Sequence, residues 1–334
     1  MKIATTILIF CVGALLSLGM VMLYSSSMMQ VGAHYLIMQS IWCGLGLVAC
    51  LIAASFDYRK LKKIALPLLG VTAFLLLLVL IPHIGIKVNG ARRWLGVGSF
   101  RLQPSELAKI ALIIFLAYYG EFYQRQMKNF KRGVVIPIGI LGVVLGLIFV
   151  EPDVGTTLLC ALVSAILLLI AGLRWRYFLP PLIIGVIGIG LFLSQDQMRS
   201  KRIYSWRHVE ETKQTTGHQA WQAMVALNSG GLTGLGLGNG RQKAGFVPEH
   251  HTDFILSIIG EELGFLGTIS VLLGFLVFVL CGMHIANRAC DNFGMLIASG
   301  VTFMIGIQAF INIGVVTSAL PNKGMPLPFI SYGG

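Results

Sequence analysis

The sequence predicts an all-α, polytopic membrane protein. Three observations carry that prediction: pervasive apolarity, apolar runs of bilayer length that recur along the chain, and basic connections that alternate with uncharged ones. Hydrophobic residues fill 56% of the 334 positions and charged residues only 11%, more apolar surface than a soluble core of this length can hide. A helix crossing a bilayer needs about 20 mostly apolar residues. Runs of this character lie at residues 5–24, 36–56, 64–82, 105–119, 133–150, 156–173, 177–193, 253–281 and 293–318, which predicts about nine helices in one integral-membrane domain over 1–334.

The first run follows Met1 and Lys2 directly. It is long enough to span and lacks a small-residue cleavage site, so it counts as the first helix and not as a secretion signal. Cys11, Cys43, Cys50, Cys160 and Cys281 fall inside apolar runs, where cysteine packs as a small hydrophobe, and Cys290 lies in a connection. Their spacing supports neither a disulfide framework nor a metal site.

Lysine and arginine in short loops mark the cytoplasmic side. The connection after the second run carries Arg59, Lys60, Lys62 and Lys63, that after the fourth carries Arg125, Lys128, Lys131 and Arg132, and that after the sixth carries Arg174 and Arg176. The alternate connections at 25–35 and 151–155 hold no lysine or arginine. The N-terminus is therefore expected in the cytoplasm, with odd-numbered helices running outward.

Two outward segments break this rule. Residues 87–109 hold Lys87, Arg92, Arg93, Arg101 and Lys109, and the long segment 195–252, between the seventh and eighth runs, holds Arg199, Lys201, Arg202, Arg207, Lys213, Arg241 and Lys243. Basic charge that opposes topology points to function. Of the thirteen acidic residues, only Asp57, Glu121 and Asp291 fall in expected cytoplasmic connections, so any chemistry belongs to the outer face.

Arg92, Arg93 and Trp94 stand together, and paired guanidiniums beside an indole suit a pyrophosphate as well as they suit ordinary headgroups at a membrane surface. Glu106 and Lys109, three apart at the head of the fourth run, share a helix face and can pair. Such a pair serves either as a structural salt bridge or as a substrate contact. Asp153 begins the sixth run, where a carboxylate suits the positive helix end and equally suits a site.

Within 195–252, residues 218–228 place Trp221, Met224, Val225 and Asn228 near one stripe, as in a helix lying in the interface or offering a partner-binding face. The run GLTGLGLGNG at 231–240 has glycines at nucleotide-binding spacing, but it follows no strand and opens no βαβ unit. It reads as tight turns that let backbone approach a ligand or a neighbouring helix. The segment PEHHTDFI at 248–255, followed by Glu261 and Glu262, places acids in series where the long outward segment re-enters the membrane. Partial desolvation there would make Asp253 a better base than a solvated carboxylate, although helix capping would also explain it. His250 and His251 are adjacent and lack the HExxH spacing of a zinc site.

Taken together, GARRW at 90–94, QPSELAK at 103–109, EPDVGTTLL at 151–159, PEHHTDFI at 248–255, GEELG at 260–264 and LPNKGMPLPFISYGG at 320–334 resemble the SEDS family of bacterial cell-wall polymerases. Within that family the arginine pair and the lysine of LPNKG look more like the FtsW and SpoVE branch than the RodA branch. The resemblance implies ten transmembrane helices, the last of them beyond Gly334, and a peptidoglycan glycosyltransferase acting on lipid II outside the membrane, in septal synthesis. It places the proposed catalytic aspartate on Asp253. The substrate-binding set it suggests is Arg92, Arg93, Trp94, Glu106, Lys109, Asp153, Lys243, Glu249 and Lys323, with no resident metal site and a divalent magnesium or manganese ion accompanying the pyrophosphate. Expected partners are lipid II, a class B penicillin-binding protein, other division proteins and the membrane itself, not nucleic acid. A lipid II flippase, using Glu106, Lys109 and Asp153 as a polar track, and a non-catalytic division scaffold are the alternatives. One departure from the family pattern is His250, where alanine or a charged residue is common.

Overall fold

The computed structural model describes residues 2–27, 32, 34–88, 91–97, 100–195, 197–242 and 252–332. A helix forms over each apolar run. In order they are α1 (Lys2–Ser27), α2 (His34–Ser55), α3 (Leu61–Leu80), α4 (Pro104–Phe122), α5 (Ile136–Val150), α6 (Val154–Ile170) and α7 (Trp175–Gln195), then α8 (Gln197–Arg207) and α9 (His218–Ser229) within the long segment, and finally α10 (Ile255–Asn287) and α11 (Asn292–Val316). Among the described residues six helical stretches are long and apolar enough to cross a membrane, at Lys2–Ser27, His34–Ser55, Tyr58–Leu80, Lys131–Val150, Ile255–Asn287 and Asn292–Val316, and α6 is a shorter apolar helix.

The surface confirms the solvent. No residue of α2 is buried, although the helix is almost wholly apolar, and Phe10, Leu51, Phe74 and Leu280 are each at least 60% exposed. In water such a surface would aggregate; against lipid tails it is simply solvated.

The helix-only reading misses one element. Residues 86–102 form a three-stranded antiparallel meander, β1 (Ile86–Val88), β2 (Ala91–Val97) and β3 (Phe100–Leu102), with Lys87 opposite Arg92 and Gly96 opposite Arg101. Asn89-Gly90 between β1 and β2 is a hairpin signal present in the sequence. The run is too short and too polar to span, and its strands satisfy their backbone groups by pairing with one another.

The chain forms two compact units. The first comprises Met1–Ser55, Val186–Cys281 and Ile305–Gly334; the second comprises Phe56–Gly185 and Gly282–Met304. In the first, Leu15 and Met22 of α1 pack with Phe254, Ile255, Ile258 and Ile259 at the head of α10 and with Val315 and Val316 at the end of α11. In the second, α3 and α6 each pack on α4, and α5 packs on α6.

The glycine run at 231–240 docks on a neighbouring helix. Inside α10, Gly264 adopts φ 68°, and the break leaves backbone groups that the run satisfies. Leu235 and Gly236 donate to the carbonyls of Glu261 and Glu262, each at 3.0 Å, and Phe265 donates back to the Gly231 carbonyl at 2.9 Å. Gly234, at φ 83°, lies against the Glu262 carbonyl so closely that a Cβ has no room. The acids of GEELG complete this joint. The Glu261 carboxylate accepts from the backbone N–H groups of Arg241 and Gln242, and that of Glu262 accepts from the Ser25 hydroxyl. Both side chains are buried.

Candidate active site

In the first unit, the turn Thr252–Phe254 brings the chain into α10, and Phe254 is buried in the core, which leaves the half-buried Asp253 beside it at the rim. Asp253 lines a cavity of about 350 Å³ together with Lys201, Arg202 and Ser205 of α8, Thr216, Gln219 of α9, Phe254, Asn322 and Gly324. The walls are tied to one another. Asn322 donates to the Gln219 side-chain carbonyl at 2.9 Å, and the Trp206 indole donates to the Ser318 carbonyl at 2.8 Å, fixing α8 against the end of α11. A carboxylate, two cations, hydroxyls and carboxamides thus share one concave wall, a donor and acceptor set fit for a phosphorylated sugar.

The backbone around Asp253 is held by side chains from two later segments. Asn312 of α11, buried, donates through one amide nitrogen to the carbonyls of Asp253 (2.8 Å) and Met325 (2.7 Å). Ser331 donates to the Thr252 carbonyl at 2.6 Å and accepts from the Leu327 N–H at 2.8 Å. The two motif segments PEHHTDFI and LPNKGMPLPFISYGG, some seventy residues apart in the sequence, therefore meet at Asp253.

The second unit gathers another set. Glu106 and Lys109 form the ion pair their spacing predicts, at 2.7 Å, with the lysine largely buried and the carboxylate about half exposed. Asp153 is the N-cap of α6, its carboxylate accepting from the Thr156 N–H at 3.2 Å and from the Thr156 hydroxyl at 2.8 Å. Cys160, farther along α6, lies within electrostatic reach of Lys109, Glu106 and Asp153 alike. Arg92 and Arg93 are successive residues of β2, so they project to opposite faces. Arg93 donates to the carbonyls of Glu151 (3.1 Å) and Pro152 (2.7 Å), anchoring the meander to the turn between α5 and α6. Trp94 stands opposite Ile86 in the same sheet.

Glu151 is the residue the sequence motif hid. Its side chain is fully buried, neither carboxyl oxygen has a hydrogen-bond partner among the described residues, and burial, aided by Asp153 and opposed by Arg93, pushes its pKa up to about 8.

Lys323 lies in the first unit, half-buried, next to the cavity residue Gly324. Lys243 and Glu249 lie outside the described residues. Lys201 and Arg202 belong to the outward basic excess, yet nothing in sequence spacing singles them out, because α8 meets Asp253 only through the fold. In α9 the positions buried within the protein are Ala223 and Ala226, whose small side chains let α9 lie close to α10, where Leu227 packs on Gly260.

The family model for FtsW, RodA and SpoVE, described as a cell cycle protein, matches residues 5–334. The chain belongs to the FtsW/RodA/SpoVE family. Among family members it is 42% identical over 327 residues to the probable peptidoglycan glycosyltransferase FtsW of Geobacter metallireducens, covering 96% of this chain and 87% of that protein. It is 40% identical over 329 residues to the stage V sporulation protein E of Bacillus subtilis, covering 96% and 89%. Among solved structures of the family fold, it superposes with a TM-score of 0.81 and 28% identity on a chain of a peptidoglycan synthase complex in which polymerization and crosslinking are structurally coordinated, covering 98% of this chain and 91% of the other. It also superposes on the rod shape determining protein RodA of Thermus thermophilus, with a TM-score of 0.73 and 28% identity over 98% and 89%. Like its relatives in the FtsW/RodA/SpoVE family, it is a multi-pass membrane protein.

Proposed function

We propose that this chain is a peptidoglycan glycosyltransferase that polymerises lipid II into β-1,4 glycan strands at the outer face of the cytoplasmic membrane, during septal division. The observation that carries the reading is the cavity in which Asp253 shares a wall with Lys201 and Arg202. The names of its relatives support the same activity. The Asp253 carboxylate takes the proton from the acceptor sugar's 4-hydroxyl, and the oxygen attacks the anomeric carbon of the donor glycan. The bond from that carbon to the diphosphate oxygen breaks, inverting an α-phosphate into a β-glycoside, and undecaprenyl diphosphate leaves with the bonding pair.

General-base assistance contributes about 10²- to 10⁴-fold, so charge stabilisation and positioning must supply the rest. Lys201 and Arg202 carry the charge that a departing diphosphate needs, the guanidinium by paired hydrogen bonds. Among the described residues no three His, Cys, Asp or Glu side chains gather to hold a metal ion. A divalent cation accompanying the diphosphate would draw its ligands from the diphosphate and water, since Asp253, the one acid among the lining residues, serves as the base.

Cross-linking is supplied by a class B penicillin-binding protein, a partnership supported by the solved synthase complex, with other division proteins around it. Purified protein, assembled with that partner and given labelled lipid II, should release polymer that a muramidase digests. Movement of lipid II across sealed vesicles without polymer would favour the flippase instead.

A further inference from the structure

We infer that Gly324 and Asn312 are positioning residues for the Asp253 carboxylate, Gly324 by leaving room for it and Asn312 by fixing the backbone that bears it. The inference builds on the reading of Asp253 as the base. At Gly324 an added Cβ would stand 2.7 Å from the Asp253 Oδ2 and 3.7 Å from its Cγ, with no other heavy atom of the described residues beyond its chain neighbours within 4 Å. The backbone there does not require glycine, since φ lies outside the left-handed region. The missing side chain therefore leaves room for the carboxylate: the space a methyl group would fill is the space Asp253 leans across.

Asn312 supplies the complementary constraint. Its amide nitrogen bridges the Asp253 and Met325 carbonyls, and these two acceptors settle which way the amide points. Because Met325 follows Gly324, one buried side chain sets both the start of the aspartate's side chain and the surface that side chain meets. The Asn312 amide oxygen has no hydrogen-bond partner among the described residues, so the residue is oriented by its donors alone. A buried amide kept for two carbonyls, one of them on Asp253, fits a residue that places a reacting group within the tolerance catalysis demands.

The test compares lipid II polymerisation by wild type, Gly324→Ala, Asn312→Ala and Asp253→Asn, each as the full-length protein with its penicillin-binding partner. Among the described residues Gly324→Ala meets only the far end of the Asp253 side chain, so folded yield and thermal midpoint should match wild type. Turnover should fall about 10²-fold, the usual consequence of misplacing a reacting group by roughly 1 Å, while the half-saturating lipid II concentration stays within about twofold. Asn312→Ala should show the same split per folded molecule. Wild-type turnover by Gly324→Ala, beside an inactive Asp253→Asn, would overturn the positioning role and leave the base intact. An active Asp253→Asn would remove both.

Discussion

Arg93 and Glu151 meet through the wrong part of the glutamate. The Arg93 guanidinium donates to the main-chain carbonyl of Glu151 at 3.1 Å, while the Glu151 carboxyl, fully buried, finds no hydrogen-bond partner among the described residues. A buried carboxylate left unpaired is costly, so the group stays protonated at neutral pH, with its pKa pushed up to about 8 by burial and then by Asp153.

That protonation has a consequence for stability. The folded state binds the proton between the ordinary carboxylate range and about pH 8, whereas the unfolded chain has released it. Stability from Glu151 is therefore full below about pH 4.5, declines as pH rises toward 8 by at most about 1.4 kcal/mol per pH unit, and is lost above. Glu151→Gln keeps the shape without the titration. Its thermal midpoint should vary less than that of wild type between pH 5 and 8 and exceed it at pH 8. Parallel curves for the two proteins would refute the assignment.

Lys201 and Arg202 should act on substrate affinity and on departure of the diphosphate together. Removing one charge-assisted contact loses about tenfold to a hundredfold in kcat/KM. Lys201→Ala and Arg202→Ala should each fall in that range in a lipid II polymerisation assay, and Arg202→Lys should recover only part, because an ammonium lacks the paired donors. Unchanged kcat/KM in both alanine variants would take α8 out of the site.

The joint between the glycine run and α10 predicts a folding defect. Gly234→Ala forces a side chain into a left-handed conformation, costing about 1–2 kcal/mol, and drives it into the Glu262 carbonyl as well. The variant should be recovered in lower yield and unfold at lower temperature. Gly142→Ala, where an added Cβ meets nothing within 4 Å, should not. Thermal unfolding in detergent separates the two.

These particulars show what was legible in the sequence. Apolar length and the basic pattern identify the helices, since both follow from the bilayer and need no knowledge of packing. The Glu106 and Lys109 pair is legible for a similar reason: helix geometry alone brings residues three apart together. The meander at 86–102 is not, although Asn89-Gly90 signals it, because its outer strands have only three residues each and the segment reads simply as an outward connection. The packing of α9 on α10 through Ala223 and Ala226 is not legible either, because alanine carries little hydrophobic signal beside Trp221 and Met224. Lys201, Asn312 and Gly324 were invisible as site residues, since only tertiary contact brings them to Asp253.

The most direct measurement is polymerisation of labelled lipid II by Asp253→Asn, read as glycan strands on a gel, with lipid II binding followed in the same preparation. The exchange keeps the side chain's size and removes its basicity. Strands should disappear, while folding and lipid II binding match wild type. Strands of ordinary length and yield from the asparagine protein would contradict a base at this position, and with it the chemistry assigned to the cavity.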